Sequence, residues 1–244
     1  MPVLRVVFVL LLIIGVAAAV SVWRGWVTPP PQWNPWAPLD VKAAPNFLTR
    51  YKLMRLRDDP QLCDQALGSS GLRVSRQADS AGATCPLINT LRVQGGEVGL
   101  SSSFLASCRL AVSFALFEHH ALQPAAQAVY GQPVTRVEHL GSFACRNVYG
   151  RENGRRSQHA SANALDIAGF RLADGRSISV LKDWPKDNRD ARFLRQVRDG
   201  ACDLPDHPLG QRGGQHGADD DDGGDGVGDG HQRRVQRRGD GADD

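Results

Sequence analysis

The sequence predicts an α+β domain, a small antiparallel sheet with helices packed on it, behind one N-terminal apolar helix. Two observations carry the prediction. Apolar residues recur at helical spacing through residues 104–119, which lays down one buried stripe. Strand-like runs at residues 134–140, 165–170 and 177–181, the last two flanking Ala173-Asp174-Gly175-Arg176, read as strands with a tight hairpin turn. Helical patterns come first and strand patterns mostly later, and such segregation gives helices on an antiparallel sheet. The 244 residues, 41% hydrophobic and 23% charged, suit one globular domain with additions at its ends.

From the start of the chain, residues 6–22 form 17 consecutive positions without a charge, almost all Val, Leu, Ile or Ala. As a helix this run rises roughly 25 Å, nearly the thickness of a bilayer's hydrocarbon core. Arg5 precedes it and Trp23, Arg24 and Trp26 follow, which suits a retained anchor with an aromatic interface belt. Ala17-Ala18-Ala19-Val20-Ser21 offers the small residues of a cleaved signal instead, and either way the rest is exported. The expected organisation is an anchor or signal over residues 1–27, a Pro- and Trp-rich linker over 28–50, a domain over 51–206 and a Gly- and Asp-rich tail over 207–244. Pro29-Pro30-Pro31, Pro35 and Pro38 read as a stiff spacer, although Trp33 and Trp36 among them also offer packing surface.

Inside the domain, Asp59 is the expected cap of a short helix at residues 61–67 that ends at Gly68 to Gly71. Residues 91–100 place Gln94-Gly95-Gly96-Glu97 between apolar flanks, the pattern of a hairpin or a tight turn. Ser101-Ser102-Ser103 is expected to cap the long helix, whose stripe of Phe104, Cys108, Ala111, Val112, Ala115 and Leu116 closes before Pro124. His119 and His120 then fall at its C-terminal end, where a cation suits the helix dipole, and read as structural. Short helices follow at residues 125–130, stopping at Gly131, and 189–199, stopping at Gly200.

Residues 1–209 carry 24 basic and 17 acidic residues (+7), and residues 210–244 carry 5 and 9 (−4). A net charge of +3 with no basic run interleaved with aromatics excludes nucleic acid as the expected partner. Residues 210–244 hold no aromatic and only two valines, a disordered composition. No G-x-S-x-G, P-loop or H-E-x-x-H occurs, so serine hydrolase and nucleotide chemistry have no support. The five cysteines, Cys63, Cys85, Cys108, Cys145 and Cys202, include no C-x-x-C, which favours disulfides in an exported chain over a thiolate metal site. Local ring closure favours Cys63 with Cys85, then Cys108 with Cys145, leaving Cys202 free.

Chemistry concentrates in Ser157-Gln158-His159-Ala160-Ser161-Ala162-Asn163-Ala164-Leu165-Asp166. A histidine lies in a loop of small polar residues, and an aspartate follows at the start of a strand. Leu165 and Ile167 on one strand face put Asp166 on the other. One imidazole and one carboxylate converging on a cleft are two of the three protein ligands that a catalytic zinc usually takes.

This stretch resembles the S-x-H-x-x-G-x-A-x-D motif of zinc D-alanyl-D-alanine carboxypeptidases and their hedgehog-like relatives, with Ser157, His159, Ala164 and Asp166 on motif positions and Ala162 in place of Gly. With Cys63, Thr84-Cys85-Pro86, Leu140-Gly141-Ser142-Phe143-Ala144-Cys145-Arg146-Asn147, Val180-Leu181-Lys182-Asp183-Trp184 and Asp199-Gly200-Ala201-Cys202, residues 36–203 resemble the bacterial extensin-like C-terminal domain family. The resemblance implies a carboxypeptidase-like fold, zinc as cofactor, and peptidoglycan or muropeptides as partners. His159 and Asp166 are then metal ligands, and Ser157 orients the His loop. Arg146 holds a substrate carboxylate or a developing oxyanion, or forms a surface salt bridge instead. Apart from the resemblance, His139 lies beside the Arg146 segment in sequence and reads as a residue behind the ligands. With the anchor, the implied location is the bacterial inner membrane with the domain in the periplasm.

The family continues with a closing H-x-D-H-x-H-x-D-like motif that brings the last zinc ligand, and this sequence departs from it. His207, His216 and His231 are the histidines after Cys202, and none stands in such a motif. Leu204-Pro205-Asp206-His207 can be encoded so that a one-base shift yields Phe-Arg-Thr-Thr, close to the family's continuation, so a frameshift is the expected origin of the tail. A natural solvated tail is the alternative; the Gly and Asp spacing at residues 219–229 does not sustain a calcium-binding repeat. The expected function is a membrane-tethered, metallopeptidase-like envelope protein impaired by that loss, or else a non-catalytic module binding peptidoglycan or a partner through the same cleft.

Overall fold

The computed structural model describes residues 2–80, 84–151 and 154–204. Helix α1, Pro2–Trp23, contains the span Val3–Trp23 with a mean hydropathy of 2.9, long and apolar enough for a membrane anchor or a signal segment. The segment after it does not run free through the whole expected spacer. Leu39 and Val41 are buried in the core, and Trp33 packs on Phe47. Prolines leave carbonyls without local N–H partners, and the next helix takes them: Lys52 Nζ donates to the Pro31 carbonyl at 2.7 Å and Arg55 to the Pro35 carbonyl at 3.0 Å.

Helix α2, Phe47–Arg55, starts from a capping box of Asn46 and Thr49, and α3, Pro60–Gly68, from Asp59, which accepts from the Gln61 and Leu62 N–H groups. Strands β1, Arg73–Arg76, and β2, Thr90–Gly95, are antiparallel. Of the two expected forms, hairpin or tight turn, residues 91–100 take the tight turn: the chain bends at residues 96–98, where the Gly96 N–H donates to the Val98 carbonyl at 3.1 Å, after Gly95 at φ 118°. Strand β3, Gly99–Leu100, instead pairs in parallel with β5, Val134–Gly141.

Strand β4, Phe104–Ser107, pairs with β2, which corrects the expected start of the long helix. Phe104 and Ala106 point inward while Leu105 and Ser107 are half-buried, a period of two. Helix α4, Cys108–Phe117, begins only there, with the Ser107 hydroxyl accepting from the Leu110 N–H. Its end is also different. A π turn, Glu118–Leu122, links it to α5, Gln123–Tyr130, and Pro124 is tolerated in the first turn of α5. His119 and His120 therefore lie in mid-helix rather than at a dipole end, and His120 Nε2 sits 2.8 Å from the Val41 carbonyl.

Sheet two runs β3-β5-β6-β7, with β6, Asp166–Leu172, and β7, Ser177–Ser179, forming the expected hairpin. Helix α6, Val180–Asp183, follows, and α7, Arg189–Asp203, runs through Gly200 rather than stopping there. A Cβ at Gly200 would stand 3.3 Å from Ala121 Cβ, so this glycine serves close packing of α7 on the π turn. Between α3 and α4 lies one disulfide, Cys63–Cys108; the other is Cys85–Cys145. Both expected pairings are thus corrected, because packing α3 on α4 brings buried Cys63 and Cys108 face to face. Cys202 is free.

Glu118 in the π turn is 8% exposed. One carboxylate oxygen accepts from the Val98 N–H at 3.1 Å, and the other is buried without a hydrogen-bond partner among the described residues. Burial raises this carboxyl from 4.5 to about 7, Glu97 adding to the rise and the Val98 N–H opposing it. The folded state thus keeps a proton that the unfolded chain has released, so this contribution to stability is complete below pH 4.5 and is lost as pH rises through 7. The expected loss is on the order of 3 kcal/mol. Glu118→Gln is expected to flatten that part of the pH profile in urea unfolding, and an unchanged slope would assign the pH dependence elsewhere.

Candidate functional site

The site is built where one short turn meets the first residue of β6. Ser157 caps the 3₁₀ turn Gln158–Ser161, its hydroxyl accepting from the His159 N–H at 3.3 Å. Ala162 closes the turn at φ 50°, ψ 40°, the left-handed conformation that glycine adopts without strain and alanine holds at about 1 kcal/mol or more. That geometry explains why the resembled motif has Gly here. Ala162 is fully buried, and its carbonyl accepts from the Ser107 N–H at 2.7 Å, so tertiary contacts hold it there.

His159 Nδ1 lies 3.2 Å from the Ser142 carbonyl. A carbonyl only accepts, so Nδ1 carries the proton and the Nε2 lone pair is turned outward. Nε2 stands 3.4 Å from Asp166 Oδ1, with the imidazole 15% and the carboxylate 57% exposed. Two acceptors aimed at one place make an arrangement that a proton or a cation completes. Both line a largely apolar groove of about 570 Å³ whose walls include Leu140, Trp184, Arg198 and Cys202. The Arg198 guanidinium stacks over Trp184 at 5.3 Å.

Of the residues singled out in the sequence, His159 and Asp166 come together and Ser157 holds their loop. Arg146 does so only through its backbone: its carbonyl accepts from the Ser157 N–H at 3.2 Å, while its side chain is exposed and does not line the groove. His139 is also outside the groove lining; its Nε2 is 2.9 Å from the Ser102 carbonyl and its ring packs edge-on against Phe104. Among the described residues no third His, Cys, Asp or Glu joins the pair in a metal-holding group. His207, His216 and His231 lie outside the described residues, as does the expected tail. Arg198 and Cys202 were not singled out for the groove, although their spacing from Leu194 and Val197 places all four on one helix face.

Fold and site together define an α+β domain with a His–Asp pair on an apolar groove. The chain belongs to the family described as extensin-like protein C-terminus, whose model matches residues 61–214, more than half of its length. No curated protein and no solved structure matches the chain significantly.

Proposed function

We propose that the chain is a membrane-tethered protein of the bacterial cell envelope, its domain in the periplasm, built like a zinc-dependent peptidoglycan D-alanyl peptidase but impaired as an enzyme. The apolar helix and the two disulfides support export to an oxidising compartment. The observation that carries the reading is the His159–Asp166 pair, 3.4 Å apart, on residues that resemble a zinc-peptidase motif. A neutral imidazole nitrogen and a carboxylate are donors that zinc accepts, but a catalytic site takes three protein donors and keeps one open position. The described residues supply two. They do not fit a resident catalytic zinc, and no reaction step is assigned to one.

That shortfall favours the second reading, a module that binds peptidoglycan stem peptides or a partner without cutting them. The groove suits such a role: the Asp166 carboxylate accepts from an amide N–H while apolar walls take methyl groups. A frameshift near residues 204–207 accounts for the lost continuation, and resequencing the locus checks it. For the protein as it stands, the expected result is no release of D-alanine or cleaved peptide from purified muropeptides with zinc supplied. Cleavage that His159→Ala abolishes would overturn the impairment.

A further inference from the structure

Helix α2 carries an apolar stripe on its outer side. Its inward side holds Thr49, Lys52 and Leu53, while Phe47, Tyr51 and Met54, at the i, i+4 and i+7 spacing that normally faces a core, are turned to solvent with Arg50 between them. Phe47 is 74% exposed, and Trp33, itself exposed, packs on it at 5.9 Å. The Arg55 guanidinium lies 5.9 Å from the Tyr51 ring and donates to the Pro35 carbonyl, which fixes the Pro- and Trp-rich segment beside this face. Contiguous exposed apolar side chains edged by charge mark an interaction surface.

The course of the chain says what covers it. The Trp26 and Val27 N–H groups still donate to the Ser21 carbonyl, at 3.0 and 3.3 Å, so turns continue from the end of α1 to Val27. On the far side Lys52 holds the Pro31 carbonyl at 2.7 Å, and Asn46, the cap of α2, holds the Gln32 carbonyl at 2.9 Å. Thr28, Pro29 and Pro30 alone separate these fixed points, a stretch that reaches at most roughly 14 Å from Val27 to Pro31 and that its prolines keep stiff. With α1 in a bilayer, the edge of α2 is held within about that distance of the headgroup layer, and a surface tethered so closely meets it at high effective concentration. Charge agrees: residues 24–57 carry six basic residues and one acidic, a balance that anionic headgroups attract. Aromatic rings interleaved with basic groups are also what settles at the level of the headgroups.

We propose that the exposed face of α2, together with Trp33, lies on the anionic surface of the membrane that α1 spans, its rings at headgroup level and Arg50 against the headgroup charges. The inference rests on the anchored reading of α1 and goes beyond it, because it orients the domain on the bilayer instead of only tethering it there. The test places a nitroxide spin label on Met54→Cys in a Cys202→Ser background and reconstitutes the full chain into vesicles with and without phosphatidylglycerol in phosphatidylcholine. Collision rates with oxygen, which concentrates in lipid, and with a water-soluble nickel chelate, which lipid excludes, locate the label. A label on Asp187→Cys, at an exposed position between α6 and α7, is the control. The oxygen-to-nickel ratio at residue 54 is expected to stand several-fold above that at residue 187 in phosphatidylglycerol vesicles, and to fall toward it in phosphatidylcholine alone, at high salt or with Arg50→Glu. Thermal melts and non-reduced peptide maps confirm that each variant is folded. A chain that floats with the vesicles while residue 54 is as open to nickel as residue 187 would overturn the docking and leave the anchor, whereas a chain that does not float would overturn both. A high ratio that ignores lipid charge and Arg50→Glu would overturn the anionic surface as the partner. Shielding of residue 54 from both reagents would assign the face to a protein contact instead, and broadening between labels that unlabelled chain dilutes away would make that contact a second copy.

Discussion

Cys63→Ser is expected to lower the unfolding free energy by about 4 kcal/mol, because it opens a ring whose closure restricts the unfolded chain. The bridge to Cys108 spans a sequence separation of 45 and joins α3 to the first turn of α4, with both cysteines no more than 2% exposed. Substitution also leaves a hydroxyl and an unpaired thiol in the core, and a buried hydroxyl without a partner adds its own cost. Against a typical total of roughly 5–15 kcal/mol, such a loss removes much of the domain's stability. Urea unfolding of the oxidised protein measures it, with Cys202→Ser, a half-buried free thiol, expected to change stability far less. Peptide mapping without reduction is expected to recover Cys63 joined to Cys108. A Cys63–Cys85 peptide would contradict the packing of α3 on α4.

What the sequence revealed of this fold depended on how local each signal is. The β6–β7 hairpin was legible because Asp174-Gly175 turns the chain within a few residues, and α3 because Asp59 caps it directly. The start of α4 was not, because every residue of Cys108–Phe117 except Arg109 is buried, and a helix buried all round presents no stripe to mark its beginning. Phe104 continued the apparent helical period although it belongs to β4. The parallel pairing of β3 with β5 and the two disulfides are long-range choices that ring size does not predict. Gly200 looked like a helix stop and is a packing contact with Ala121. In the site, His159 and Asp166 were legible because one turn and one strand residue bring them together, whereas the left-handed backbone at Ala162 explains the Gly of the resembled motif and makes the Ala here the costlier choice. The groove walls come from α4, β5, β6, α6 and α7, whose meeting is tertiary.

The larger effect is expected at the His159–Asp166 pair, which we propose as an incomplete zinc site. Two protein donors leave at least two positions of a tetrahedral zinc to water, and binding free energy falls with every donor lost. On the proposed reading, replacing the residues after Leu204 with an H-x-D-H-x-H-x-D-type ending supplies a third donor and is expected to tighten zinc binding by orders of magnitude, roughly a thousandfold. His159→Ala or Asp166→Ala in the restored protein is expected to cancel the gain, whereas Arg146→Ala, whose side chain does not line the groove, is expected to leave zinc affinity unchanged. The deciding measurement is zinc affinity by competition titration of the present chain and the restored one side by side. Weak binding by the first and tight, His159-dependent binding by the second is the predicted result. Equally tight binding by the present chain, or no gain on restoration, would contradict a metallopeptidase-like site that is short of one donor.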